Sequence, residues 1–294
     1  MTLKSALPGR LAGRLTSFLR GPFSNRNFDT GFAMFAILVV IPLLGVLLSS
    51  PDLLRVGNSS PALPPSPDHL LGTDVLGRDI LAQLFVGTLN SLEIGLIAAA
   101  IGTAAGAIIG FVSAYYGGIV DDTLRVLTDV FLSIPSLMFL VLISALVRAV
   151  TVEAMAMIIA IFAWAWPARQ IRAQALSLKE HEFVYMARLS GMGSFELIVR
   201  ELMPHMLQWM IANFVNAFLS AILTETGLSI LGLGPQTERT LGMMLWWALN
   251  SAAMYRGLWW WWAPPVFVLI FSFFSLYLMH AGLDEVINPK LRGR

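Results

Sequence analysis

Hydrophobic and polar positions sort along this chain into six long uncharged windows, at residues 30–51, 94–120, 130–147, 154–168, 202–224 and 257–283. The stretches between them hold nearly all of the charge. A bilayer core of about 30 Å takes roughly 20 helical residues at 1.5 Å each, so five windows span it and the fourth spans it by borrowing from its flanks. The pattern predicts an all-α membrane protein with six transmembrane helices. Pro51, Pro61, Pro64, Pro65 and Pro67 deny regular hydrogen bonding to the stretch after the first window, which predicts an external loop there. The polar stretches 169–201 and 232–256 are too short to fold alone but long enough for docking helices. The expected organisation is a segment 1–29, a first helix 30–51, a loop 52–89, a five-helix core 90–284 containing the polar loop 169–201, and a tail 285–294.

Charge then orients the chain. With the amino terminus inside, 14 of the 19 Lys and Arg fall on inner segments, and only Arg55, Arg78, Arg148, Arg239 and Arg256 fall outside. Under the positive-inside rule both termini are cytoplasmic. The first apolar run begins 29 residues into the sequence and no small-residue cleavage site follows it, which predicts an uncleaved signal anchor. Ahead of it Leu11, Leu15, Phe18 and Leu19 share one helical face, with Arg10, Arg14 and Ser17 on the other. That pattern fits either a helix lying in the membrane interface or a solvated basic tail.

Composition narrows the chemistry. Of 294 residues 57% are hydrophobic and 13% charged, which argues against a water-soluble enzyme. The 19 basic and 18 acidic residues nearly cancel, leaving no basic field to hold a nucleic acid. The absence of cysteine removes disulfides, thiolate nucleophiles and Cys-ligated metals. The three lysines, Lys4, Lys179 and Lys290, follow Leu3, Leu178 and Pro289, so no Gly-Lys-Ser/Thr phosphate loop exists and the chain cannot hydrolyse ATP that way. The nearest approach to a His-Glu-x-x-His zinc site, His181 to Tyr185, ends in tyrosine. No Gly-x-Ser-x-Gly elbow occurs. No catalytic residue, metal ligand or bound cofactor is expected.

Several motifs lie inside the apolar windows. Ala98, Gly102, Gly106, Gly110 and Ala114 recur at spacing four, a seam along which another helix backbone can approach. Asn213, Asn216, Ser220 and Thr224 fall on one face of the fifth helix, suited either to a translocation pathway or to interhelical hydrogen bonding. Trp246, Trp247 and Trp259 to Trp262 suit an aromatic belt at the membrane surface, or stacking on a passing solute. Glu93, Asp129 and Glu225 fall near the ends of windows and read as structural rather than as an ion relay. In the polar loop, Glu182, Phe183, Tyr185, Met186, Ala187 and Arg188 form a short helix that stops at Gly191, with Met203 and Pro204 opening the next helix. Such a knob exposes side chains without a core of its own and implies a partner with a groove.

At these residues the chain resembles the permease subunits of bacterial ATP-binding cassette (ABC) importers, in particular the second permease of the peptide/opine/nickel uptake family. That family carries Glu-Ala-Ala, three residues and Gly in this loop. Here Tyr185, Met186 and Ala187 stand for the triplet and Gly191 for the glycine, and Tyr185 departs from the usual Glu. The string Leu71-Gly72-Thr73-Asp74-Val75-Leu76-Gly77-Arg78-Asp79 is similar to the subfamily signature at every fixed position. Further likeness lies at Tyr116 to Gly118 with Asp121, at Asp129 to Pro135, at Glu225 to Ser229 with Leu231 to Gly234, and at Gly282 to Asp284 with Asn288 and Pro289.

The resemblance implies the type I importer permease fold in the cytoplasmic membrane of a bacterium or archaeon. Its implied partners are a homologous second permease, two ATPase subunits that hold ATP and Mg, and an extracytoplasmic solute-binding protein, all set in lipid. The 182–191 helix would then dock the ATPase, and oligopeptide is the implied cargo. The tryptophan run and Leu283-Asp284-Glu285 lean towards oligosaccharide instead. A stand-alone channel or secondary carrier, and an intramembrane enzyme, are the readings from other classes.

Overall fold

The structure, a computed structural model, describes residues 25–147 and 149–287. The expected interfacial helix around Leu11 to Leu19, Arg148, and the motif residues Asn288 and Pro289 lie outside the described residues. Among the described residues regular structure is helical, apart from one isolated bridge between Thr73 and Asp79.

Eleven α-helices follow in chain order among the described residues: α1 (Arg26–Leu48), α2 (Ile80–Tyr116), α3 (Gly118–Ser133), α4 (Ser136–Leu146), α5 (Val152–Ala163), α6 (Ala165–Lys179), α7 (Glu182–Leu189), α8 (Ser194–Leu197), α9 (Met203–Ile230), α10 (Leu241–Asn250) and α11 (Trp259–Ile287). Four helical runs are long and apolar enough to cross a membrane, and two bent pairs bring the number to six if each is one span. Window three is the first such pair: α3 and α4 meet at 80° across Ile134 and Pro135, where the missing proline N–H ends the helix. Window four is the second, with α5 and α6 bent by 41° at Trp164. The chain therefore keeps its six apolar segments but breaks two of them. Asn25 and Asn27 donate to the carboxylate of Glu285 at 2.7 and 2.8 Å, so the described chain ends meet at the same end of the bundle as α7.

The second helix starts well before its apolar window. Asp79 accepts from the N–H of Ala82 at 2.8 Å as its N-cap, so α2 begins at Ile80, within the stretch 52–89 read as loop, and runs for 37 residues. The shift moves Glu93 from the edge of a span to the inside of one, and corrects its placement near a helix end. At the other end of the bundle the Lys179 ammonium donates to the Ala114 and Tyr115 carbonyls at 3.0 Å, a cation closing the C-terminus of α2.

α2 is the central mast, and its glycine seam packs within the chain. A Cβ on Gly102 would lie 2.6 Å from the Ala163 side chain, one on Gly106 2.7 Å from the Trp164 carbonyl oxygen, and one on Gly110 2.9 Å from that of Ala168. The seam thus lets the α5–α6 bend press onto the mast. Gly95 takes the Phe218 ring of α9 in the same way, and Gly31 and Gly282 bring α1 and α11 together.

Met203 and Pro204 stand at the start of α9 as expected, but no loop precedes them. Ser194–Leu197 runs through one π turn, Ile198–Leu202, directly into α9. The wider turn accommodates a proline that cannot donate to the preceding turn.

Candidate functional site

The exposed knob comes first. Val184 is fully buried, and Phe183 and Ala187 pack with it against Ile171, Leu197 and Leu202. The Phe183 ring stacks on His205 of α9 with centroids 4.5 Å apart, and the Arg188 guanidinium lies 5.3 Å from the Tyr115 ring. These contacts tie an eight-residue helix to α2, α6 and α9. The other face is open: Tyr185 is 67% and Leu189 74% exposed, Met186 is exposed with them, and so is Phe195 of α8. The seven predicted docking residues therefore divide. Glu182, Tyr185, Met186 and Gly191 face outward, Phe183 and Ala187 root the helix, and Arg188, itself exposed, reaches back over the Tyr115 ring.

The helix stops as the glycine predicts. Gly191 has φ +80°; its N–H donates to the Arg188 carbonyl at 3.0 Å, and the Met192 N–H donates to that of Ala187 at 3.2 Å. Those two bonds make a Schellman motif, whose C′ residue takes the left-handed conformation that glycine adopts without a Cβ penalty.

The second element is a cavity of about 160 Å³ enclosed by α4, α5, α6 and α9. Asn216, Ser220 and Thr224 line it on one side, facing Ser136, Phe162 and Trp166. Three of the four residues predicted for a polar pathway thus converge on one space. The fourth, Asn213, is buried away from it and donates to the Trp209 carbonyl of its own helix at 2.9 Å, so it serves neither a pathway nor the interhelical bonding foreseen for this face. Ser136 was missed because it lies in a different window; the Pro135 break that presents it was the available signal. The lining carries no ionisable side chain.

The third element closes the opposite end. Asp74 is fully buried and accepts from the N–H groups of Leu76 and Arg78, from Arg78 Nε at 2.7 Å and from Gln83 Nε2 at 3.1 Å. Thr73 donates to the Ser60 carbonyl and accepts from the Leu63 N–H. Asp79 accepts from or pairs with His69 Nδ1 at 2.8 Å while capping α2. The 71–79 string is therefore a fastener that orders the proline-rich loop and seats it on the start of α2. Gly77 passes so close to Ser59 that an added Cβ would fall 2.0 Å from its carbonyl oxygen.

The tryptophans form the platform beneath this fastener rather than a uniform belt. Trp261 is buried against Ile80 and Leu84, Trp247 lies 5.6 Å under the Arg78 guanidinium, and Trp259 is exposed. Nearby, burial and the Arg78 charge push the Arg239 guanidinium below its ordinary pKa.

Glu225 joins this closure to the bundle. It is fully buried on α9 and accepts from Ser91 Oγ of α2 at 3.1 Å, from Ser229 Oγ at 2.7 Å and from Thr240 Oγ1, the N-cap of α10, at 2.6 Å. One carboxyl thus links three helices, the structural role expected of it. At the α7 end, Asp121 takes a bidentate pair from Arg172 with both contacts at 2.6 Å, tying α3 to α6. Asp129 faces Arg169 more loosely, at 3.7 Å.

The family described as "binding-protein-dependent transport system inner membrane component" matches residues 102–293. The dipeptide transport system permease protein DppC of Bacillus subtilis is 30% identical over 91% of this chain and 83% of its own length. The oligopeptide transport system permease protein OppC of Mycobacterium bovis is 32% identical over 78% of each chain, and OppC of Lactococcus lactis subsp. cremoris is 29% identical over 84% and 85%.

Proposed function

This chain belongs to the family of binding-protein-dependent transport system inner membrane components, and from that premise we propose that it lines half of a pathway for oligopeptides. It is a multi-pass permease, and ATP hydrolysis belongs to separate subunits. In this reading a homologous second permease completes the pathway, two ATPase subunits dock at the α7 end, and a binding protein delivers cargo at the fastener end. The α7 end and both termini are cytoplasmic, following the distribution of Lys and Arg. The observation that carries the reading is α7 itself. A rooted, sharply stopped helix presenting Tyr185, Met186 and Leu189 gives a separate ATPase an apolar hold, and its contacts with α2, α6 and α9 pass a push into the bundle.

The uncharged cavity of Asn216, Ser220, Thr224 and Ser136 is the pathway segment. Amide and hydroxyl groups can exchange hydrogen bonds with a moving peptide backbone without holding it. The names of the relatives favour peptide as cargo, and oligosaccharide is the second reading, since the same groups and the facing Trp166 and Phe162 suit a sugar. The test is ATP hydrolysis by the reconstituted assembly with its binding protein, challenged in parallel with short peptides and oligosaccharides. Stimulation by peptides is expected, and stimulation by oligosaccharides alone would overturn the cargo. Ser220→Leu, which fills the cavity, should lower uptake at least tenfold while the subunits still co-purify. Unchanged uptake would remove this face from the pathway.

A further inference from the structure

Nearly the whole circumference of α2 is covered by its neighbours except for one stripe, on which Glu93, Leu96, Ala100, Ala104 and Ile108 are exposed at spacings of three, four, four and four. Glu93 is the ionisable member. Among the described residues it has neither a hydrogen-bond nor an ion-pair partner. Its depth follows from the helix. Leu84 packs with Trp261 at the tryptophan platform, and Glu93 lies nine residues further along α2, about 14 Å at 1.5 Å per residue. With a hydrocarbon core about 30 Å thick, that distance brings Glu93 close to the middle of the bilayer.

A carboxylate held there by lipid alone is costly, and ionisable groups at such depth face protein or a water-filled space. Within this chain the polar cavity offers no escape. Ser220 and Asn216 lie on the side of α9 away from α2, whereas Phe218 and Ile222 of α9 contact Gly95, on the covered face of α2 opposite Glu93. Among the described residues no group satisfies Glu93.

We propose that the stripe from Glu93 to Ile108 is covered by a transmembrane helix of the second permease, which places a basic side chain against the Glu93 carboxylate. This rests on the reading of the chain as one of two paired permeases. Charge selects the occupant, because a cation on a packed helix stabilises a buried carboxylate that acyl chains cannot. The alanines below Glu93 add steric room, since small side chains at 100 and 104 let the second backbone approach. The pair would fix the register of the two subunits in a setting where apolar packing alone discriminates weakly.

The chain has no cysteine, so an introduced cysteine is the only thiol within it. Glu93→Cys, Ala100→Cys and Ala104→Cys are introduced separately into the full complex in membranes and joined to a thiol-anchored photo-crosslinker. The last two keep Glu93 in place and guard against misassembly of the first. Adducts to the second permease at all three positions are expected, and the crosslinked peptide should contain Lys, Arg or His. Glu93→Leu should reduce co-purification of the second permease at least tenfold. Rapid modification of the Glu93→Cys variant by a membrane-impermeant thiol reagent, without an adduct, would overturn the proposal in favour of a water-filled space. Adducts to lipid alone would overturn it in favour of a lipid-facing carboxylate. If the wild-type chain carries no second permease at all, it is the paired-permease reading that fails.

Discussion

Replacing Gly191 by aspartate should lower uptake to below a tenth of the wild-type rate, while the protein still inserts and is recovered in normal yield. The backbone there has φ +80°, and a Cβ added to it meets nothing within 4 Å, so the substitution breaks no packing inside the chain. It acts in two other ways. The left-handed conformation costs a side chain roughly 1 kcal/mol, weakening the two hydrogen bonds that stop α7. A carboxylate also appears at the negative end of the helix dipole and at the edge of the apolar face of Met186 and Leu189, opposed by about 0.3–1 kcal/mol before any docking. Gly191→Asn separates the two causes, because asparagine tolerates the left-handed region and adds no charge. It should keep most of the uptake. Equal loss in both variants would assign the effect to the backbone alone, and normal uptake by Gly191→Asp would remove α7 from the coupling path.

The second large effect is expected at Glu225. Truncation to alanine withdraws the acceptor shared by Ser91, Ser229 and Thr240, three buried hydroxyls that Glu225 gathers from α2, α9 and the start of α10. Leaving buried donors unpaired costs about 1–3 kcal/mol each, partly recovered where a serine can turn back to its own helix, so about 3 kcal/mol is expected overall. In detergent the thermal midpoint should fall by on the order of 10 °C. Glu225→Gln, whose amide still accepts on one side, should lose less than half as much. A midpoint for Glu225→Ala within about 2 °C of wild type, roughly the shift of a single marginal contact, would contradict the clamp.

Much of this architecture was legible in the sequence because bilayer burial writes itself as uncharged runs. Gly102, Gly106 and Gly110 announced close helix contact, and Gly191 announced a helix stop, since each is a position where a Cβ cannot be accommodated or the backbone turns left-handed. Breaks were harder to read. Pro135 bends a span by 80°, yet the apolar run continues through it, so hydropathy alone reported one straight helix. The start of α2 was hidden by one charge: windows read between charges break at Glu93, although residues 80–92 are uncharged and continue the helix, with Gln83 and Asn90 serving Asp74 and the Arg239 carbonyl. That is why Glu93 read as a terminal residue.

At the pathway, periodicity found Asn216, Ser220 and Thr224 because one helix carries them. It could not find Ser136 and Trp166, which only the folding of α4 and α6 against α9 brings to the same cavity. Asn213 shares the spacing but turns to its own helix, a choice made by packing. In the signature string, sequence likeness marked the residues without revealing their work. Asp74, Arg78 and Asp79 are internal fasteners of the loop and of the first turn of α2.

Coupling in this reading depends on α7 as the element that receives the ATPase, and the most direct measurement is a crosslink from Leu189→Cys, a position 74% exposed in a chain without other cysteines. In the assembled transporter a short thiol crosslinker should join Leu189→Cys to an ATPase subunit, and its efficiency should change when ATP is trapped. Val184→Cys, fully buried on the opposite face of the same helix, should give no adduct. An intact, transport-competent complex in which Leu189→Cys never reaches an ATPase would contradict that role for α7.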